Sequence, residues 1–233
     1  MNEPAPLVLV PGLTCSALLY APQLPALWQF GPVTIANHRY DDSMEAIAAR
    51  ILADAPPSFA LAGLSMGGYI AFAMMRLAPE RITKLALLDT SARPDTPEQT
   101  VARKTQIAMV KEGRFAEIPE ISMPRFIHAD RQNDEPLKNI VRLMAAETGA
   151  DAFVRQITAI MNRPDSRPLL LSIKCPTLVL VGDADVATPP ELAREIAAGI
   201  KGATLRVIPD CGHLSTLEKP DAVNAALVAW LSG

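Results

Sequence analysis

The chain is poor in cysteine. Cys15, Cys175 and Cys211 are the only three in 233 residues, far apart and with no C-x-x-C pair. That excludes a disulfide framework and a structural zinc site. Histidine is as scarce: only His38, His128 and His213 are present, so chemistry that needs an imidazole must draw on one of them. No sign of charge dominates. The formal net charge is −3, with no long run of one sign, which offers no surface for a polyanion and argues against nucleic acid as a partner. Long apolar runs are missing too. None approaches the ~20 residues that span a bilayer, so no membrane partner is expected. Met1-Asn2-Glu3-Pro4-Ala5-Pro6 is acidic and proline-bearing, and the run after it, Leu7-Val8-Leu9-Val10, is short. It reads as a buried strand rather than a secretory leader, and a reducing cytoplasm is the expected location.

What is present is an ordinary globular composition, 49% hydrophobic, in a length that suits one domain or one domain with an insertion. Short apolar runs alternate with amphipathic stretches. Leu7–Val10, Val33–Ala36, Phe59–Leu64, Lys84–Leu88, Thr177–Val181 and Thr204–Ile208 read as strands. Several are apolar almost throughout, as strands covered on both faces are. Between them, helical patterns occupy Met44–Ala53, Met66–Leu77, Pro190–Ala198 and Ala222–Leu231. The first follows Asp42-Ser43-Met44-Glu45, read as an acidic cap with Glu three residues on; the third is opened by proline. Strand–helix alternation requires crossover connections, hence a parallel sheet.

The alternation breaks between Pro97 and Arg167. Thr100–Val110, Leu137–Ala146 and Ala152–Met161 read as helices with no strand among them. The expected organisation is an α/β core formed by residues 1–96 and 168–233, with a helical cap inserted at 97–167.

The strongest local signal is Gly63-Leu64-Ser65-Met66-Gly67-Gly68, placed after a strand and before a helix. That context gives G-x-S-x-G its meaning: the serine projects from a tight, strained turn, small neighbours let the helix pass close by, and the helix N-terminus favours developing negative charge. A serine hydroxyl is inert without a base. His213, in Asp210-Cys211-Gly212-His213, follows the last strand, and loops at the carboxyl ends of parallel strands are where such sites form. His38 follows the second strand, where it could line the same edge, although a surface-loop histidine is the reading preferred; His128 reads as a helix-face or substrate-side residue. For the acid there are three carboxylates. Asp183 and Asp185 follow the fifth strand and Asp89 the fourth, and turn or cap roles account for Asp183 and Asp89 equally well.

Taken together, these residues resemble the α/β-hydrolase superfamily over nearly the whole chain. The order serine, acid, histidine is that superfamily's order. Its acid commonly sits in G-x-x-D-x-x-x-P, a pattern met by Gly182, Asp185 and Pro189, so the resemblance selects Asp185. Gly212-His213-Leu214-Ser215 is similar to its histidine segment. The resemblance also implies an oxyanion hole made by the backbone N–H groups of Leu13 and Met66. One departure stands out: Pro11, in Val10-Pro11-Gly12-Leu13-Thr14, replaces the histidine that relatives often carry. A backbone donor survives that change, while the histidine's own hydrogen bonding is lost, with Thr14 and Ser16 as candidate substitutes. Many relatives have an extra N-terminal hairpin; without it, a compact version with six parallel strands is implied.

The expected reaction is hydrolysis of a small carboxylic ester or lactone through an acyl-enzyme, with Ser65 as nucleophile, His213 as base and Asp185 as acid, and with no metal or organic cofactor required. The 97–167 stretch carries Met109, Met123, Met144, Met161, Phe115, Phe126 and Phe153. These either shape an apolar pocket or join the stretch to the core. Its charges nearly balance, which gives no reason to choose an anionic substrate. Carbon–carbon bond hydrolases, hydroxynitrile lyase-like enzymes and triad-retaining sensors resemble the chain at this level and stay open.

Overall fold

The structure, a computed structural model, describes residues 6–233; the leader reading of Met1–Ala5 lies outside them. Six strands form one sheet: β1 (Leu7–Val10), β2 (Val33–Ile35), β3 (Phe59–Leu64), β4 (Ile82–Leu88), β5 (Thr177–Gly182) and β6 (Thr204–Ile208). Their order is β2-β1-β3-β4-β5-β6 and every pairing is parallel. All carboxyl ends therefore lie along one edge.

The helices explain why the central strands are apolar on both faces. They are α1 (Leu24–Leu27), α2 (Met44–Asp54), α3 (Met66–Leu77), α4 (Pro97–Lys111), α5 (Glu117–Phe126), α6 (Glu135–Thr148), α7 (Ala150–Met161), α8 (Arg167–Leu170), α9 (Pro190–Gly199), α10 (Ser215–Glu218) and α11 (Pro220–Ser232). Side chains alternate across a strand. Val8, Val10, Leu61, Leu85, Leu87, Val179 and Val181 face α2, α3 and α9, in a core that includes Ile47, Ile51, Ile70, Phe72 and Ile196. Leu7, Leu9, Ala60, Ala62, Ala86, Leu88, Leu178 and Leu180 face the opposite layer, with Tyr20, Leu27, Val223 and Leu227. Each fully buried Leu or Ile contributes roughly 1.5–3 kcal/mol relative to exposure. Among the described residues, no helix is long and apolar enough to cross a membrane.

Two details differ from the sequence expectation. The N-cap of α2 is Ser43, whose Oγ accepts the Ala46 N–H at 3.2 Å. Asp42 is not the cap, and Asp41 is engaged elsewhere in a bidentate pair with Arg50. The stretch between β4 and β5 also holds a helix that periodicity does not announce, α5. Its Pro119 lies in the first turn, and Pro124 lies near the end, where the bonds forfeited are few.

Candidate active site

The segment that carries Ser65 is fixed by close approach. Ser65 follows β3 and precedes α3 with φ 56° and ψ −114°, a conformation a non-glycine residue holds only when its surroundings impose it. The surroundings are Gly63 and Gly67. A Cβ on Gly63 would strike the Gly67 carbonyl, and one on Gly67 would strike the Val10 carbonyl. Only glycine lets α3 start this near β1 and β3. The turn is tied to β4 by Ser65 N–H donating to Leu88 O at 2.9 Å and by Thr90 Oγ1 donating to Ser65 O at 2.8 Å.

Ser65 Oγ lies 2.8 Å from His213 Nε2, and His213 Nδ1 lies 2.8 Å from Asp185 Oδ2. The remaining acceptor capacity of Asp185 is filled. Oδ1 accepts the N–H groups of Ala187 at 2.8 Å and Thr188 at 2.9 Å, and Oδ2 accepts Thr188 Oγ1 at 2.7 Å. Burial alone would raise the Asp185 pKa, but the His213 charge, its hydrogen bond and the Thr188 donors hold it below the ordinary value. An ionised carboxylate only accepts. It therefore fixes the proton on Nδ1 and leaves Nε2 as the acceptor facing Ser65. Burial disfavours a charged His213, yet Asp185 beside it, with Asp89 and Glu218 behind, outweighs that penalty and raises its pKa above the ordinary imidazole value.

The other two carboxylates have different tasks. Asp183 Oδ1 accepts the Cys211 N–H at 3.1 Å and ties the β5 turn to the loop after β6. Asp89 is buried; its Oδ1 accepts the Gly182 N–H at 3.0 Å and its Oδ2 accepts Ser215 Oγ–H. Burial and the Asp185 charge push its pKa well above the carboxylate range. Asp89 thus joins the ends of β4 and β5 to the histidine loop without touching the imidazole. Cys15 also borders the site, but burial pushes its thiol up to about 12, which leaves it protonated and inert.

The N–H groups of Leu13 and Met66 have no hydrogen-bond acceptor among the described residues. Met66 opens α3, so its N–H is one of the four that a helix start leaves unpaired. Leu13 and Ser65 border one space, which is lined also by Gly12, Thr14, Phe126, Val141, Met144 and His213; Met66 is the residue after Ser65. The space between these side chains is narrow. Its lining is apolar and holds no lysine or arginine. Among the described residues, no group of three His, Cys, Asp or Glu side chains is disposed to hold a metal ion.

Of the seven Met and Phe side chains in the β4–β5 segment, Phe126 and Met144 line the site, Met123 joins the core on one face of the sheet, and Met109, Phe115, Phe153 and Met161 pack with Ile118, Ile157 and Leu13. Phe126 also acts through its backbone. Its carbonyl accepts the N–H groups of His213 at 3.0 Å and Leu214 at 3.2 Å, and its ring stacks on the imidazole with centroids 5.3 Å apart. Glu218, unremarkable in sequence, accepts the N–H of His128 at 2.8 Å and of Leu214 at 3.3 Å, joining the same two segments. His128 itself stays out of the site; its Nδ1 accepts the Asp130 N–H. His38 is not a surface-loop residue. It is 2% exposed, and its Nε2 lies 3.0 Å from Gly12 O. A signal for it exists in the register: Leu9 pairs with Ile35, so three residues further on His38 falls beside Gly12. Thr14 and Ser16 do not take that place. Thr14 Oγ1 donates to Leu13 O, and Ser16 Oγ caps the short helical turn after it.

With this geometry established, likeness to other proteins is informative. A sequence model of the Alpha/beta hydrolase family matches residues 7–226. The structure of a thermophilic esterase from Thermogutta terrifontis is 31% identical, with a TM-score of 0.89 over 98% of this chain and 89% of that one. The enol-lactonase of Burkholderia xenovorans LB400 is 27% identical, with a TM-score of 0.89 over 100% and 93%. A 2-hydroxy-6-oxononadienedioate/2-hydroxy-6-oxononatrienedioate hydrolase of Klebsiella pneumoniae is 29% identical over 74% of this chain. The match spans 62% of that relative's length.

Proposed function

This chain belongs to the alpha/beta hydrolase family, and from that premise we propose that it is a serine hydrolase cleaving a small, uncharged carboxylic ester or lactone through an acyl-enzyme. The observation that carries the reading is the relay from Ser65 Oγ through His213 to Asp185, with both links at 2.8 Å. Ser65 Oγ attacks the carbonyl carbon while His213 Nε2 takes its proton. Asp185 stabilises the imidazolium that results. The carbonyl oxygen, now negative, is held by the N–H groups of Leu13 and Met66, each such donor being worth on the order of 10²–10³ in rate. Collapse expels the alkoxide, which takes the proton from Nε2. Water then gives its proton to His213 and adds to the acyl carbon; the second collapse releases the acid and returns the proton to Ser65.

The lining supports the substrate class. A site without a cationic side chain pairs poorly with a dicarboxylate such as the Klebsiella relative's name specifies, and it holds no lysine to serve a lyase's leaving group. Its narrowness favours short acyl groups. In this reading the helical segment from Pro97 to Arg167 is a cap that roofs the site through Phe126, Val141 and Met144 and excludes water.

The test is turnover of p-nitrophenyl acetate, butyrate and octanoate and of a set of lactones by the purified protein, beside Ser65→Ala. The expected result is hydrolysis that falls by a factor on the order of 10⁴–10⁶ in the variant. No turnover of any ester or lactone, or a variant keeping more than a tenth of the activity, would overturn the reading.

A further inference from the structure

We infer that His38 is a positioning residue for the reaction: by holding the Gly12 carbonyl, it orients the Gly12–Leu13 peptide so that the Leu13 N–H faces the developing oxyanion. The inference rests on the hydrolase reading above and goes beyond it, because His38 lies outside the relay.

A trans peptide is planar, and its C=O and N–H point in opposite directions. Whatever fixes Gly12 O therefore fixes the direction of the Leu13 N–H. Gly12 O faces His38 Nε2 at 3.0 Å. A carbonyl oxygen can only accept, so His38 donates from Nε2 and carries no proton on Nδ1. Burial pushes its pKa down to about 4, the bond to Gly12 only partly offsetting the loss of water. The imidazole is neutral at working pH, and the tautomer is set by the carbonyl it serves.

The rest of the loop is arranged around the same peptide. Cys15 N–H donates to Gly12 O at 3.1 Å. Thr14, in the left-handed region at φ 57°, turns its N–H away to Gln156 Oε1 at 3.1 Å. Leu13 O accepts Thr14 Oγ1–H at 2.6 Å. The neighbouring polar groups are thus engaged, and the Leu13 N–H is left free beside Ser65. His38 reaches Gly12 because β1 and β2 run parallel in register, not through any residue of the loop itself. Pro11, which has no side-chain donor, could not supply this bond.

The experiment compares His38→Ala and His38→Gln with wild type on p-nitrophenyl acetate, with inhibition by phenylboronic acid, whose Ser65 adduct places a hydroxyl where the oxyanion forms. The Ala variant keeps the Cys15 bond to Gly12 O, so the loss should be smaller than removing a donor outright: about tenfold in kcat, with KM within about twofold. The boronate Ki should rise by a similar factor, since both report the tetrahedral state. Gln places an amide N–H near the position of Nε2 and should restore kcat to within about threefold of wild type. Should Ala not fold, His38→Leu, which refills the volume, carries the same comparison. A folded donor-less variant with wild-type kcat and Ki, differing only in thermal midpoint, would overturn the inference and leave the hydrolase reading intact. So would an equal loss in Ala and Gln. A wild-type protein that hydrolyses no ester would overturn both.

Discussion

Replacing Asp185 by Asn tests the relay at its least exposed link. The two backbone N–H groups of Ala187 and Thr188 converge on Oδ1, so the amide oxygen must take that position. The NH₂ group then falls at the Oδ2 position, 2.8 Å from His213 Nδ1. An amide nitrogen donates and cannot accept. It forces Nδ1 to become the acceptor and moves the imidazole proton to Nε2, the nitrogen that faces Ser65 Oγ. The base is then already protonated where it must take a proton. Thr188 Oγ1, now facing NH₂, turns its lone pairs toward it, so the fold loses little. The expected cost is on the order of 10⁴ in kcat, or about 5.5 kcal/mol at ~1.36 kcal/mol per decade. The controls follow from the same geometry. Asp183→Asn keeps an amide oxygen for the Cys211 N–H. Asp89→Asn keeps one for the Gly182 N–H and offers a donor to Ser215, whose hydroxyl can rotate to accept. Each should stay within about tenfold of wild type on p-nitrophenyl acetate. An Asp185→Asn enzyme with more than a tenth of wild-type kcat, beside a dead Asp89 or Asp183 variant, would refute the assignment.

Other outcomes follow from the same site. The raised pKa of His213 sets the sign of the pH profile: the base works when neutral, so kcat/KM is full above the folded-state pKa and lost as pH falls through it, with a midpoint above ~6.5; a flat profile from pH 5 to 9 would contradict a histidine base. Met144 is buried and lines the site. Met144→Ala should raise the butyrate-to-acetate ratio of kcat/KM several-fold, at a cost of about 2–5 kcal/mol in stability by denaturant melts, whereas the exposed Ile121→Ser should leave the ratio unchanged; equal ratios in all three proteins would sink the pocket assignment.

The sequence makes the sheet legible because burial on both faces leaves its central strands almost wholly apolar, and all six strands were expected within two residues of their observed bounds. Ser65 is legible because its turn demands glycines at fixed offsets. Asp185 is less so, since an acid and a turn former look alike in sequence; family resemblance, not spacing, separates it from Asp183. The helix Glu117–Phe126 was hidden by Pro119 and Pro124, which are tolerated because they fall near its ends. The buried partners of the site were hidden for a different reason. Phe126 O, Glu218 and His38 act across 26 to 90 residues of chain, and no local pattern encodes such pairings. His38 is the instructive case. Its polarity suggests a surface loop, while the β1–β2 register places it in the interior with a carbonyl to serve.

The central claim is that Ser65 is the nucleophile. A fluorophosphonate probe reacts with a serine only when a base activates it, and mass spectrometry of the digested protein identifies the residue that carries the phosphonate. The account predicts one label per chain on Ser65, absent from Ser65→Ala and greatly slowed in His213→Ala. A label on any other residue, or none on a folded protein, would contradict it.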